Sequence, residues 1–237
     1  MNKNIALIIS LSLIISSIIL GSYFHNARKT VNSVRVVGYA SGEYDSDILK
    51  WRITLASTAN ANNMAQGYST LNRDIQMIKN YLSDKKLNVN DFQINPAYSY
   101  ANYNRDGEIT NYSFEQNIVF TTRDTLYFKP IEDIAFDFTS LAEKGVTIRY
   151  STLEYFLSEL PELKKEIISE ATKDAKERAL QVANTTGTKL GKLLNGRVGV
   201  FQITEPLSTE VQSYGIYNTN TRRKQISVTM NALFELR

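Results

Sequence analysis

Leu49-Lys50-Trp51-Arg52-Ile53-Thr54-Leu55 alternates apolar and polar side chains along its whole length. That period of two belongs to a strand with one buried face, and it puts Trp51 in the core rather than at a ligand. The pattern then changes period. Met64, Tyr68, Leu71, Ile75, Ile78 and Leu82 recur three and four residues apart, which is one stripe of a helix over 62–86. A strand at 91–103 carries Phe92, Ile94, Ala97 and Tyr98, and Asn104-Arg105-Asp106-Gly107 turns it back, since Asp-Gly suits positive φ. The return strand at 109–122 includes Tyr112, Phe114, Ile118 and Phe120. A second helix over 129–143 begins at Pro130 and stops at Gly145. Val146, Ile148 and Tyr150 open another strand that runs on through Leu153 and Tyr155.

The order from 48 to 157 is therefore βαββαβ, an antiparallel sheet with two helices on one face. Working outward, Val34 and Val36 mark a strand at 33–43. A long helix follows the core over 160–186 and ends at Gly187, with strands at 197–205 and 223–236 closing the chain. Ser208 to Thr221 is polar and reads as a mobile loop. The segments 48–122 and 146–236 share a strand–helix–strand–strand order, with no repeat at the level of residues. The expected class is α+β: a βαββαβ-like antiparallel core, one long alanine-rich helix and C-terminal strands.

The N-terminus is of another kind. Residues 5–20 carry no charge, and extension through Gly21, Ser22, Tyr23 and Phe24 gives the roughly 20 residues that cross a bilayer. Lys3 provides a basic start, and the small-residue cleavage pattern near Gly21 is poor, so an uncleaved signal anchor is expected over a cleaved signal peptide. The division is 1–25 anchor or signal peptide, 26–32 tether and 33–237 folded domain. Arg28, Lys29 and Arg35 follow the span while only Lys3 and the α-amine precede it, so the positive-inside count leans toward a cytoplasmic domain.

Composition narrows the function. A net charge of +3 is spread among interleaved acids and bases, leaving no electrostatic case for nucleic acid. Cysteine is absent, and the one histidine, His25, adjoins the apolar segment. Thiolate chemistry is excluded, and histidine-based triads or metal sites are nearly so. No Gly-x-Ser-x-Gly elbow, dinucleotide fingerprint or phosphate-binding loop motif occurs. Glu43, Asp45 and Asp47 form the densest carboxylate group, yet they are too sparse for an EF-hand and read as a solvated turn. No enzyme activity, cofactor or metal is expected. Among the 14 tyrosines, Tyr98, Tyr100, Tyr103 and Tyr112 crowd the central hairpin. Tyr98 and Tyr100 share a face, with Tyr103 on the other. They are either cross-strand pairs that stabilise the hairpin or a candidate interface, with a glycan or peptide site as the lesser alternative.

In the long helix, Ala171, Ala175, Ala179 and Ala183 stand four apart, a small-residue face suited to close packing on the domain's own sheet or on a partner helix. The run from Glu170 to Ala179, then Ala183, Gly187, Leu190 and Gly191, resembles the signature helix and exit of the SIMPL-domain family. The opening strand Val34 to Gly42 and the acidic turn at Asp45 and Asp47 resemble that family's start. One departure is Ser46, where members often place proline before the acidic turn residue. Members are largely bacterial envelope proteins without established catalysis. Some assemble into ring-like oligomers, and some are linked to stress tolerance. The resemblance thus implies a periplasmic domain on an inner-membrane anchor, or one released after cleavage, that associates with itself. Its membrane contact would run through residues 5–24, and its ligand is unspecified.

Overall fold

The computed structural model describes residues 3–27, 32–138 and 140–237. Helix α1 (Lys3–Ala27) contains the apolar segment, and none of Leu7–Phe24 is buried against the rest of the chain. It is long and apolar enough to cross a membrane and is not a core helix. The remainder forms two compact units. One comprises Met1–Ala40, Ile168–Gly199 and Thr229–Arg237; the other comprises Ser41–Ile167 and Val200–Val228. Three elements contribute to both: β1 (Ser33–Asp45), α5 (Leu160–Thr185) and β10 (Arg223–Leu236).

The larger unit holds the βαββαβ core. Its elements are β2 (Ile48–Asn60), α2 (Met64–Asp84), β3 (Phe92–Ile94), β4 (Tyr98–Tyr103), β5 (Ile109–Thr122), α3 (Phe128–Asp137), α4 (Ser140–Glu143) and β6 (Ile148–Phe156). Strand order is β3–β5–β2–β6, with β4 also on β5, and every pair is antiparallel. Alternation works as the sequence demands. Leu49, Trp51, Ile53 and Leu55 are buried, and they meet Leu71, Ile75, Ile78 and Leu82 of α2 and Ile131 and Ile134 of α3 in one apolar cluster. Trp51 packs edge-on to Phe92 and Phe138, and its indole N–H donates to the Ser151 hydroxyl at 3.0 Å. The hairpin turn is built by Asn104, whose side-chain oxygen accepts from the amides of Asp106 and Glu108, with Gly107 at φ +82°.

Four segments differ from expectation. The strand expected at 91–103 is two, because Asn95-Pro96-Ala97 interrupts the ladder and proline brings no amide to it. The helix expected at 129–143 is likewise broken after Asp137. The strand expected at 197–205 is replaced by β7 (Leu190–Val198) and β8 (Gln202–Thr204). In the larger unit β8 pairs antiparallel with β10 and parallel with the short β9 (Ile216–Tyr217). The 208–221 segment is tied down rather than loose. The Gln202 and Gln212 side chain and backbone bond each other, the Asn218 amide donates to the Ile203 carbonyl, and the buried Lys224 ammonium holds the carbonyls of Asn218 and Thr221.

In the smaller unit β10 pairs antiparallel with β7 through Met230↔Val198 and Asn231↔Arg197, and the amide of Leu236 donates to the carbonyl of Asn32 ahead of β1. Ala171, Ala175, Ala179 and Ala183 of α5 are all fully buried. They let the helix backbone lie on β1 at Gly38: a methyl there would collide with the Ala171 carbonyl oxygen and stand 2.7 Å from the Ala175 Cβ. The Asp174 carboxylate accepts the Tyr39 amide at 2.8 Å and the Arg178 side chain at 2.8 Å. Those bonds, Arg178 foremost, hold Asp174 below the usual carboxylate range. Gly187, at φ +70°, ends α5 with the Thr188 amide on the Ala183 carbonyl.

Candidate functional site

With α2 and α3 on one face of the larger unit's sheet, the other face is lined by polar and aromatic side chains. Tyr98 and Tyr100 of β4 lie two residues apart, in register with Glu115 and Ser113 of β5. Both phenols donate to Glu115, Tyr98 to one carboxylate oxygen and Tyr100 to the other at 3.1 Å. The Arg149 guanidinium on β6 completes an ion pair with the same carboxylate and lies 3.4 Å from the Tyr100 hydroxyl.

This reach spans β2, and two local features permit it. Ala56, directly opposite Glu115, has no long side chain to obstruct the path. A register shift in β6 beside Leu55 leaves Arg149 unpaired in the ladder and lets its side chain lean inward, as bulges do. Arg149 also lies over the Tyr150 ring at 5.6 Å. Farther along the face, Glu154 takes Arg52 at 3.4 Å and Lys50 at 3.9 Å, and the Thr54 hydroxyl donates to Asn117 at 2.7 Å.

Glu115 is only 8% exposed, while Tyr98, Tyr100 and Tyr150 each present a large open surface. The buried carboxylate thus acts as a pin that fixes phenols and guanidinium in place. Among the described residues the face offers no carboxylate pair and no histidine, and no group of three or more potential metal ligands occurs. What the face presents is open aromatic rings beside ion-paired side chains held in fixed positions.

The four expected tyrosines divide. Tyr98 and Tyr100 share the cluster. Tyr103 follows an irregularity in the ladder and stands exposed near the turn, and Tyr112, opposite Ala101, is partly buried against the apolar core. Glu115 and Arg149 are the members that sequence reasoning misses. The acidic turn is structural in its bonding: Glu43 pairs with Arg223 at 2.8 Å, with Asp45 at 3.8 Å from the same guanidinium. Asp47 accepts the Ser158 amide at 2.8 Å and its hydroxyl. Burial alone would raise the Asp47 carboxyl, but the two Ser158 bonds outweigh it and leave the group below its ordinary value. Ser46 donates its amide to the Arg222 carbonyl at 2.9 Å, a bond that a proline at this position would lack.

The sequence profile of SIMPL, described as a protein of unknown function (DUF541), matches residues 34–232. The chain belongs to the SIMPL family. No curated protein matches the sequence. The SIMPL match begins after α1, covers nearly all of β1 and the alanine face of α5, and ends within β10, so the larger unit falls wholly within it and the smaller one in part. The tyrosine–glutamate–arginine cluster is part of the matched SIMPL region and not an appendage to it.

Proposed function

We propose that this SIMPL protein is anchored in the bacterial inner membrane by α1 and displays its folded part on the periplasmic side. There it acts without catalytic turnover, by associating with copies of itself, in a role tied to envelope stress. The observation that carries the assembly reading is the Tyr98–Tyr100–Glu115–Arg149 face. Tyrosine and arginine are the residue types that dominate interface centres. Side chains already fixed by mutual bonds give up little rotamer freedom on association. Placement at a membrane adds to this, since tethering in two dimensions raises effective concentration.

The test is the solution mass of the full chain in neutral detergent, by light scattering over a range of concentrations. A discrete high-order species is expected, and Tyr100→Ala and Arg149→Gln should shift it to lower mass without unfolding the monomer. A monomer at every concentration overturns the reading. An oligomer indifferent to both substitutions removes this face from it.

A further inference from the structure

In the smaller unit a second concavity has different chemistry. Strands β1, β10 and β7 bring Arg35, Asn231, Leu233, Asn195 and Arg197 to the lining of one cavity of about 530 Å³, with Ala232 contributing between Asn231 and Leu233. The ladder explains the grouping. Asn231 is in register with Arg197 and Leu233 with Asn195, so residues two apart on β10 meet residues two apart on β7 on the same face. Arg35 comes from β1, on the opposite side of β10 from β7.

Every polar side chain in this lining can donate hydrogen bonds, and none is a carboxylate. Arg52, Arg73, Arg149, Arg178, Arg223 and Arg237 each pair with an acid. The side chains of Arg35 and Arg197, like those of Arg105, Arg123 and Arg222, make no ion pair or hydrogen bond among the described residues, and these two share the lining of one cavity. The carboxylate two residues beyond Leu233, Glu235, is held by Arg237 at 2.9 Å and is not part of the lining. Two uncompensated guanidiniums on one sheet face repel, and an anion between them reverses the sign of that term.

We infer that this cavity is a site for a phosphoryl group borne on an organic carrier. A phosphate monoester carries close to two negative charges at neutral pH and three strong acceptor oxygens, enough for two guanidinium forks and two carboxamides together. A carboxylate has only two oxygens to share among them. The cavity volume lies in the range of small-molecule sites, roughly 300–1,000 Å³, and exceeds what a bare phosphate fills. Leu233 offers an apolar contact to the carrier. Two sources fit this chemistry: a soluble phosphomonoester and the headgroup of a lipid that ends in a phosphomonoester, as phosphatidic acid does. Arg35 lies eight residues beyond Ala27, the last residue of α1, so the chain between them spans at most about 29 Å. The headgroup layer is therefore within reach. The site is independent of the tyrosine face and of self-association.

The experiment uses the full chain in neutral maltoside micelles. Glycerol 1-phosphate is titrated by calorimetry, and phosphatidic acid added to the micelles is counted on the protein by native mass spectrometry. Arg35→Gln and Arg197→Gln, both on exposed side chains, should each weaken binding about tenfold, the factor expected for one charge-assisted hydrogen bond. Arg35→Lys and Arg197→Lys keep the charge and lose the fork, so they should weaken it too. Arg105→Gln, in the exposed hairpin turn, serves as the net-charge control and should leave binding unchanged. Arginine-dependent binding of glycerol 1-phosphate assigns a soluble phosphoester. Arginine-dependent retention of phosphatidic acid alone assigns a headgroup. Binding of neither, or equal losses in Arg105→Gln and in the cavity variants, overturns the site.

Discussion

Lys224 shows how strongly a strand's alternation can constrain a single residue. On β10 it occupies the inward series with Ile226 and Val228, and it is 0% exposed. Its ammonium donates to the carbonyls of Asn218 and Thr221, each at 2.7 Å, and stands 5.9 Å from the centre of the Tyr217 ring. No carboxylate among the described residues pairs with it, and burial lowers its pKa from 10.5 to about 8. In the unfolded chain the amine keeps its ordinary value, so between those two pH values the unfolded state binds the extra proton. Lys224 therefore penalises folding most below about pH 8, and the penalty shrinks as pH rises toward 10.5. Unfolding by urea at pH 7, 8, 9 and 10 should show the parent gaining stability relative to Lys224→Met across the upper part of that range. The slope cannot exceed about 1.4 kcal/mol per pH unit for one proton. A difference that stays flat with pH would mean that the amine is not buried as the geometry has it. In the sequence Lys224 follows Arg223 and looks like one more surface charge. Only the phase of the strand distinguishes them.

At the scale of elements, legibility followed periodicity. β2, β5 and β10 carry clear two-residue alternation; β5 and β10 have the bounds expected from it, and β2 starts at the expected Ile48 and runs on to Asn60. β7 was unreadable because it has no such pattern: most of its side chains are exposed, and a register shift beside Leu194 breaks the phase. The candidate site divides in the same way. Tyr98 and Tyr100 could be placed on one face from spacing alone, whereas the Glu115–Arg149 pair depends on the register of β5, β2 and β6 and on the β6 bulge, which no local pattern encodes. The alanine face of α5 was visible, but its counterpart Gly38 was not, since the two meet only in three dimensions. That contact makes a sharp prediction. Ala175→Leu should destabilise the protein by about 1–3 kcal/mol through overpacking against β1. Glu177→Leu, on the exposed side of the same helix, should change stability by less than about 0.5 kcal/mol. Thermal melts that fail to separate the two variants would contradict the packing of α5 on Gly38.

For the whole molecule the open physical question is which side of the membrane the folded part occupies, and two arguments oppose each other. Lys3 and the α-amine stand against Arg28, Lys29 and Arg35 across the apolar segment, a count that retains the C-terminal side in the cytoplasm. The proposed periplasmic setting argues for export, and an apolar N-terminal helix with a basic start is the pattern that signal sequences share. The positive-inside bias is statistical, and the difference here is one charge, three against two. On the proposed periplasmic setting, export is the expected outcome. The absence of cysteine makes it directly measurable, because a single introduced thiol is the only one in the chain. Tyr214 is 96% exposed, which makes it a suitable position. In intact cells with a permeable outer membrane, Tyr214→Cys should react with a membrane-impermeant maleimide as completely as it does after lysis. Labelling only after the inner membrane is broken would place the fold in the cytoplasm and remove the periplasmic setting. The mass of the labelled product also reports whether α1 is retained. Retention separates an anchor that holds many copies on one surface, where association is promoted, from a signal peptide whose removal leaves assembly to the sheet face alone.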